Sequence, residues 1–202
     1  MMKMNLFGFF FAVVLLGMGA CNNPPKAPTW EEAKYRERGL EIAGITQTAM
    51  STQLKKALEK GGVPNAVQYC NLAAYPIADS ISKIHHATIR RVTDKPRNPS
   101  SAMSAQEQEI FRQFQSKLTG KQPLAPIIKQ LQNGEVAFYA PIGMQALCTQ
   151  CHGKLGETLS PENYAFIQNL YPTDKAIGYT EGDLRGMWHI TMLPASAEPS
   201  SF

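Results

Sequence analysis

Cysteine and histidine are scarce in this chain, with four of each among 202 residues. Charge of one sign is scarce too. The formal net charge of +4 includes Lys3, and the basic residues are scattered without a patch, so nucleic-acid binding has no support. No internal repeat and no low-complexity block is present, which argues against a repeat array. One apolar run stands out, at residues 5–16. With so few cysteines, the task of each can be asked in turn.

The opening MMKMNLFGFFFAVVLLGMGA has a short positive start at Lys3, the apolar run, and small residues after it. It predicts an export signal over 1–20 and is too short to be a confident membrane span. Gly19-Ala20 directly before Cys21 resembles a bacterial lipoprotein lipobox, with Met18 where that pattern prefers leucine. The resemblance implies cleavage before Cys21 and a lipid on its sulfur, since stable anchoring takes more than one acyl chain. The alternative is an ordinary secretory signal beside a chance cysteine. Residues 21–29 then read as a Pro- and Asn-rich tether, 30–194 as one domain, and 195–202 as a frayed tail. The expected location is the cell envelope, with the membrane reached through lipid.

Residues 148–153 read CTQCHG, a Cys-x-x-Cys-His signature for covalent haem c. Two thiols add across the two vinyl groups of the haem edge. A two-residue spacer lets one turn of chain reach both, and the adjacent His152 offers its imidazole to the iron. A thioredoxin-like motif would want a strand before and a helix after, whereas the flanks APIGMQAL and GKLGETLSP read as loop. A zinc site would need four ligands, for which Cys70, Cys148, Cys151 and His152 are the candidates. A Cys148–Cys151 disulfide is the remaining alternative. Cys70 is left over, in an oxidising compartment, with no disulfide partner.

Helix formers fill residues 30–60, with Ile42, Ile45, Ala49, Leu54, Ala57 and Leu58 at helical spacing, until Gly61-Gly62 stops them. A second helix is predicted over 64–84. Its stripe of Val67, Cys70, Ala74, Ile77, Ile81 and Ile84 turns Cys70 inward, and Pro76 is expected to kink or break it. ATIRRVT (87–93) reads as a strand and DKPRNPSS as loop. Ser104 and Glu107 form a capping box before a helix through Ile110, Phe111, Phe114 and Leu118. Asn133-Gly134 between β-prone arms predicts a hairpin over 127–140. SPENYAFIQNLYP reads as a short helix capped by Ser160. LRGMWHITM reads as a half-buried strand with Leu184, Gly186, Trp188, Ile190 and Met192 on one face. The order predicts an α+β fold, an antiparallel sheet with flanking helices, and argues against small all-helical and four-helix-bundle cytochromes.

AVQYCNLAAYPIA, KPRNP, FYAPIGMQALCTQCHG, SPE and YPTDKAIGYTEGDLRGMW occur in order. On these stretches the chain, from about Leu40 to Met192, resembles a bacterial single-haem c-type domain of formerly unknown function. That domain is found alone or at the extracytoplasmic end of sensor proteins. The resemblance implies a PAS-like fold with one haem. It implies an axial pair of the motif histidine and an early-helix cysteine, which puts His152 proximal and Cys70 distal. Lys95, Arg97 and Asn98 match a recurrent segment of the family. The resemblance thus makes Arg97 and Asn98 candidate haem contacts, with Arg97 suited to grip a propionate. His85-His86 and the tail lie outside the family pattern.

The residues alone leave the sixth ligand open among Cys70, Met144, Met187, Met192, His85, His86 and His189, and a free cysteine is most often a small buried hydrophobe. Phe138, Tyr139, Tyr164, Phe166 and Trp188 are candidates to line a porphyrin, though each is equally at home in a core. Three function classes follow: a redox or diatomic-gas sensor passing its signal to a protein partner, a tethered electron carrier, and, least supported, a peroxidase-type enzyme.

Overall fold

The computed structural model describes residues 30–194, and for residues 30, 31 and 71–75 the backbone alone. The expected signal, the lipid site at Cys21, the tether and the tail lie outside the described residues. Helix α1 spans Trp30–Ile84 in two arms, parted where Gly61 (φ −164°, ψ 29°) and Gly62 (φ 62°, ψ −158°) leave helical geometry. Gly62 occupies the left-handed region, where a Cβ would clash with backbone, so the glycine pair ends the first arm as the sequence predicts. The Asn65 amide donates to the Ala57 carbonyl at 2.7 Å and bridges the break. Arg38 near one end donates to the carbonyl of His85 at the other at 2.7 Å, so the arms fold back side by side.

The expected break at Pro76 does not occur. The second arm stays helical through it, and its only non-helical dihedrals are at the two glycines. Pro76 forfeits one hydrogen bond, but Ile77 and Ile81 just beyond it pack against the sheet. Two other apolar positions depart from their stripes: Ile45 is exposed and Ile84 is 72% exposed at the helix end.

Strands β1 (Ala87–Val92), β2 (Ile127–Gln130), β3 (Val136–Gly143) and β4 (Leu184–Met192) form one antiparallel sheet in the order β1-β4-β3-β2. The β2–β3 hairpin turns at residues 131–135. The Gly134 amide donates to Leu131 and the Leu131 amide to Glu135, with Gly134 at φ 84°. Helix α2 (Ala105–Thr119) opens with the expected capping box, Ser104 and Glu107 each accepting from the other's backbone amide.

Both sheet faces are buried. Tyr35, Ile42, Ala43 and Ile81 of α1 cover Ile89, Phe138, Trp188, Ile190 and Met192. Ile110, Phe111 and Phe114 of α2 cover Val92, Ala137, Tyr139, Leu184 and Met187. β4 is therefore a central strand rather than a half-buried one, because α2 supplies a second layer. Leu184 lies on the α2 side with Met187, not on the Trp188 face, because the ladder slips a residue at Ile142/Gly143. The architecture is α+β, an antiparallel sheet between helices in the PAS-like manner.

Candidate functional site

The C-terminal ends of β1 and β3 and the start of β4 meet at one end of the sheet, with Val92 opposite Met187 and Gly143 opposite Leu184. The chain leaving β3 turns at Met144 into a 3-10 turn, Ala146–Cys148, and then a single helical turn, α3 (Thr149–His152). The upstream flank, read from sequence as loop, is corrected here, since β3 runs to Gly143 and the motif itself is helical, whereas the downstream flank is irregular up to Pro161 as expected. Helical spacing puts Cys148 and Cys151 on one side of the turn. Neither is in a disulfide, nor is Cys70. Gly153 ends the turn in a tight place. A Cβ there would overlap the Thr158 hydroxyl and the Thr149 carbonyl.

Residues 174–179 clamp this turn from one side. The Tyr179 amide donates to the His152 carbonyl at 3.0 Å and the Gly178 amide to the Gly153 carbonyl at 2.9 Å. The His152 ring makes the contact that matters most, Nδ1 to the Ala176 carbonyl at 2.7 Å. A carbonyl only accepts, so Nδ1 carries the proton and Nε2 keeps its lone pair. Burial first, then the charges of Arg185 and Arg97, push the His152 pKa well below its usual range, and the ring stays neutral. A neutral imidazole with a fixed tautomer and a free Nε2 is what an iron ligand requires.

Arg97 holds the motif from behind. It pairs with Asp174 at 3.1 Å and donates to the Cys151 carbonyl at 2.5 Å. Both side chains are buried, Asp174 almost wholly. The other Asp174 oxygen accepts from the Ala176 amide at 2.8 Å. One carboxylate thus fixes both the arginine on the motif backbone and the segment that orients His152. Asn98, the neighbour of Arg97, turns away and caps the 3-10 turn Pro99–Ser101 through the Ser100 amide and hydroxyl.

Cys70, on the second arm of α1, is partly buried and lies near enough to the motif for its charge to act on Cys151. Burial pushes its thiol up, against the charges of Arg91 and Arg97. Burial also lifts the Cys151 thiol to about 11, where Arg97 lowers it and Cys70 and Cys148 raise it. Arg97 therefore reaches Cys70, Cys151 and His152 alike. Val63 and Val67 of α1, with Leu159, Ile167 and Tyr171, form an apolar cluster that also takes in Cys151, Tyr164 and Phe166.

The other sequence candidates are placed elsewhere. Met187 and Met192 are core residues on opposite sheet faces. His189 faces α2, where Nδ1 meets the Glu107 carboxylate at 2.7 Å and its ring stacks on Tyr139 at 4.6 Å. Tyr139 is therefore on the far side of the sheet from Cys70, and Phe138 and Trp188 belong to the core beneath α1. Among the described residues, no three His, Cys, Asp or Glu side chains are grouped to hold a metal ion by themselves, so the zinc reading gains nothing. Sequence reasoning passed over Asp174, Ala176, Tyr179 and Arg185 individually, though all four stand in the stretch YPTDKAIGYTEGDLRGMW.

Residues 29–192 match the model of the Tll0287-like family. A solved structure described as that of the cyanobacterial heme-protein Tll0287 is similar at 26% identity with a TM-score of 0.55, covering 83% of this chain and 97% of that one. No curated protein matches. Both matches fit the single-haem c-type domain that the motifs resemble, and the chain belongs to the Tll0287-like family.

Proposed function

We propose that the chain carries one haem c in the site just described, with Cys148 and Cys151 as attachment residues and His152 and Cys70 as axial ligands. Each thiol would add across one vinyl C=C, sulfur to one carbon and hydrogen to its neighbour, so no oxidant is consumed. The observation that supports this most is the His152 ring, neutral and fixed by Ala176 with Nε2 spare. Relatedness to the heme-protein Tll0287 points the same way. When bound, the haem supplies a redox-active iron. The residues of the chain orient His152, brace the Cys151 carbonyl through Arg97 and enclose the site in apolar side chains.

The role we favour is redox or diatomic-gas sensing at the cell envelope, with lipid on Cys21 as anchor and a protein partner as recipient. Cys70 rides on an arm that begins at the two-glycine break and packs on the sheet through Ile77 and Ile81 beyond it, so a displacement of Cys70 from the iron would be passed to the sheet. The test is a set of ferric and ferrous spectra, with and without CO or NO, of the exported chain matured with haem-attachment machinery. Wild type is compared with Cys70→Ala. Loss of the thiolate signature on reduction, followed by gas binding, is expected. A six-coordinate iron that stays closed and exchanges electrons with other cytochromes would instead make it a carrier. Identical spectra would remove Cys70 from the iron.

A further inference from the structure

Arg97 and Asn98 have occupations of their own, which leaves open what meets the acidic edge of a haem. The sheet end carries more positive charge than its own acids use. Arg90 has Glu107 and Arg97 has Asp174. Arg185 and Arg91 have no carboxylate within ion-pair distance among the described residues. The Arg185 guanidinium donates to the Thr93 hydroxyl at 2.8 Å and lies 5.4 Å from the centre of the Tyr179 ring. Asp174 attracts it, but both Asp174 oxygens are in use. Asp94, the acid whose charge Tyr179 feels, is exposed.

Arg91 projects from β1 opposite Trp188, on the face that α1 covers, and its charge reaches both Cys70 and His152. Next to Arg185 stands the Tyr179 hydroxyl, buried and with no partner at good hydrogen-bond geometry, although the Thr93 and Arg185 side chains stand close enough to lower its pKa against the upward push of burial; the whole residue is 5% exposed. A buried donor left unmade costs free energy, and a buried cation without an anion costs more. A ligand bearing carboxylates answers both, since guanidinium grips carboxylate bidentately and a phenol donates to it.

We propose that Arg185 and Arg91, with the Tyr179 hydroxyl, form a carboxylate-binding corner that takes the propionates of the haem. This rests on the haem reading above. Arg97 then serves as a positioning residue for the motif rather than as a propionate contact.

The test uses the full chain matured with haem. Denaturing electrophoresis with haem staining comes first, and absence of covalent haem in wild type would sink the haem reading itself. With haem attached, the propionate-bending band in resonance Raman is recorded for wild type, Arg185→Met, Arg91→Met and Tyr179→Phe. The band shifts in the two arginine variants and, to a smaller extent, in Tyr179→Phe. Arg185→Lys, which keeps the charge and loses the fork, falls between. Arg91 is exposed, so its variant reports even if Arg185→Met does not accumulate. Attached haem with an unmoved band in both arginine variants overturns the corner. So does a wild-type band that moves on adding inorganic phosphate, which would mean that the cations take a free anion.

Discussion

Asp174→Asn removes one charge while keeping the shape of the side chain and an oxygen for the Ala176 amide. The ion pair it breaks is well shielded, with side-chain exposures of 12% for Arg97 and 1% for Asp174. Breaking a buried pair from one side strands the other charge, at a cost of about 3–5 kcal/mol. The exposed Lys83–Asp79 pair, at 76% and 63%, gives the scale for comparison. Asp79→Asn should cost about 0.5 kcal/mol. Urea titration of the full chain reads both, and with a slope of about 2 kcal/mol/M the Asp174 variant should lose about 1.5–2.5 M of midpoint. Adding Arg97→Met removes the stranded cation, so the double variant should regain stability relative to Asp174→Asn alone. A loss near that of Asp79→Asn would refute the bracing role of the pair.

Glu107 gives a pH signature. Burial alone would push its carboxyl up, but hydrogen bonds from His189 and Ser104 and the charge of Arg90 outweigh it and hold the pKa at about 2 against an ordinary 4.5. The folded value is depressed, so the stabilisation, of the order of 3 kcal/mol, is complete above pH 4.5 and fades as pH falls towards 2. Glu107→Gln should flatten the stability profile across that window, and an unchanged profile counts against the network. Gly153→Ala places a methyl against the Thr158 hydroxyl and the fixed Thr149 carbonyl. The Gly153 backbone itself suits alanine (φ −74°), so the effect is steric, about 1–3 kcal/mol. Thermal unfolding and the yield of attached haem should both drop, and normal values for both would contradict the tight packing of the motif turn.

Features set by neighbours in the chain were legible in the sequence. The Ser104–Glu107 box, the Gly134 turn, the Ser160 cap and the Gly61-Gly62 stop each depend on residues within a few positions, and the structure has them all. Long-range packing was not legible. Pro76 reads as a breaker because the sheet that steadies Ile77 and Ile81 is invisible in a window around it. Leu184 reads onto the wrong face because an extra residue in β4, Arg185, lies opposite the Ile142/Gly143 step of β3 and shifts the register. The site splits along the same line. Cys-x-x-Cys-His announces itself by spacing, whereas the Ala176 carbonyl that orients His152 sits 24 residues away and offers only a backbone atom, which no side-chain pattern encodes.

The two-glycine break in α1 also has a mechanical side. Cys70 stands eight residues beyond Gly62, about 12 Å along the second arm at 1.5 Å per residue. That length acts as a lever with its pivot at the glycines. A tilt of about 10° there would carry the thiol by about 2 Å, comparable to the whole length of a bond between sulfur and a metal. The placement of Cys70 is thus sensitive to the backbone angles of two small residues remote from it, and the Asn65–Ala57 bond across the break, with the packing of Val63 and Val67, is what holds that angle.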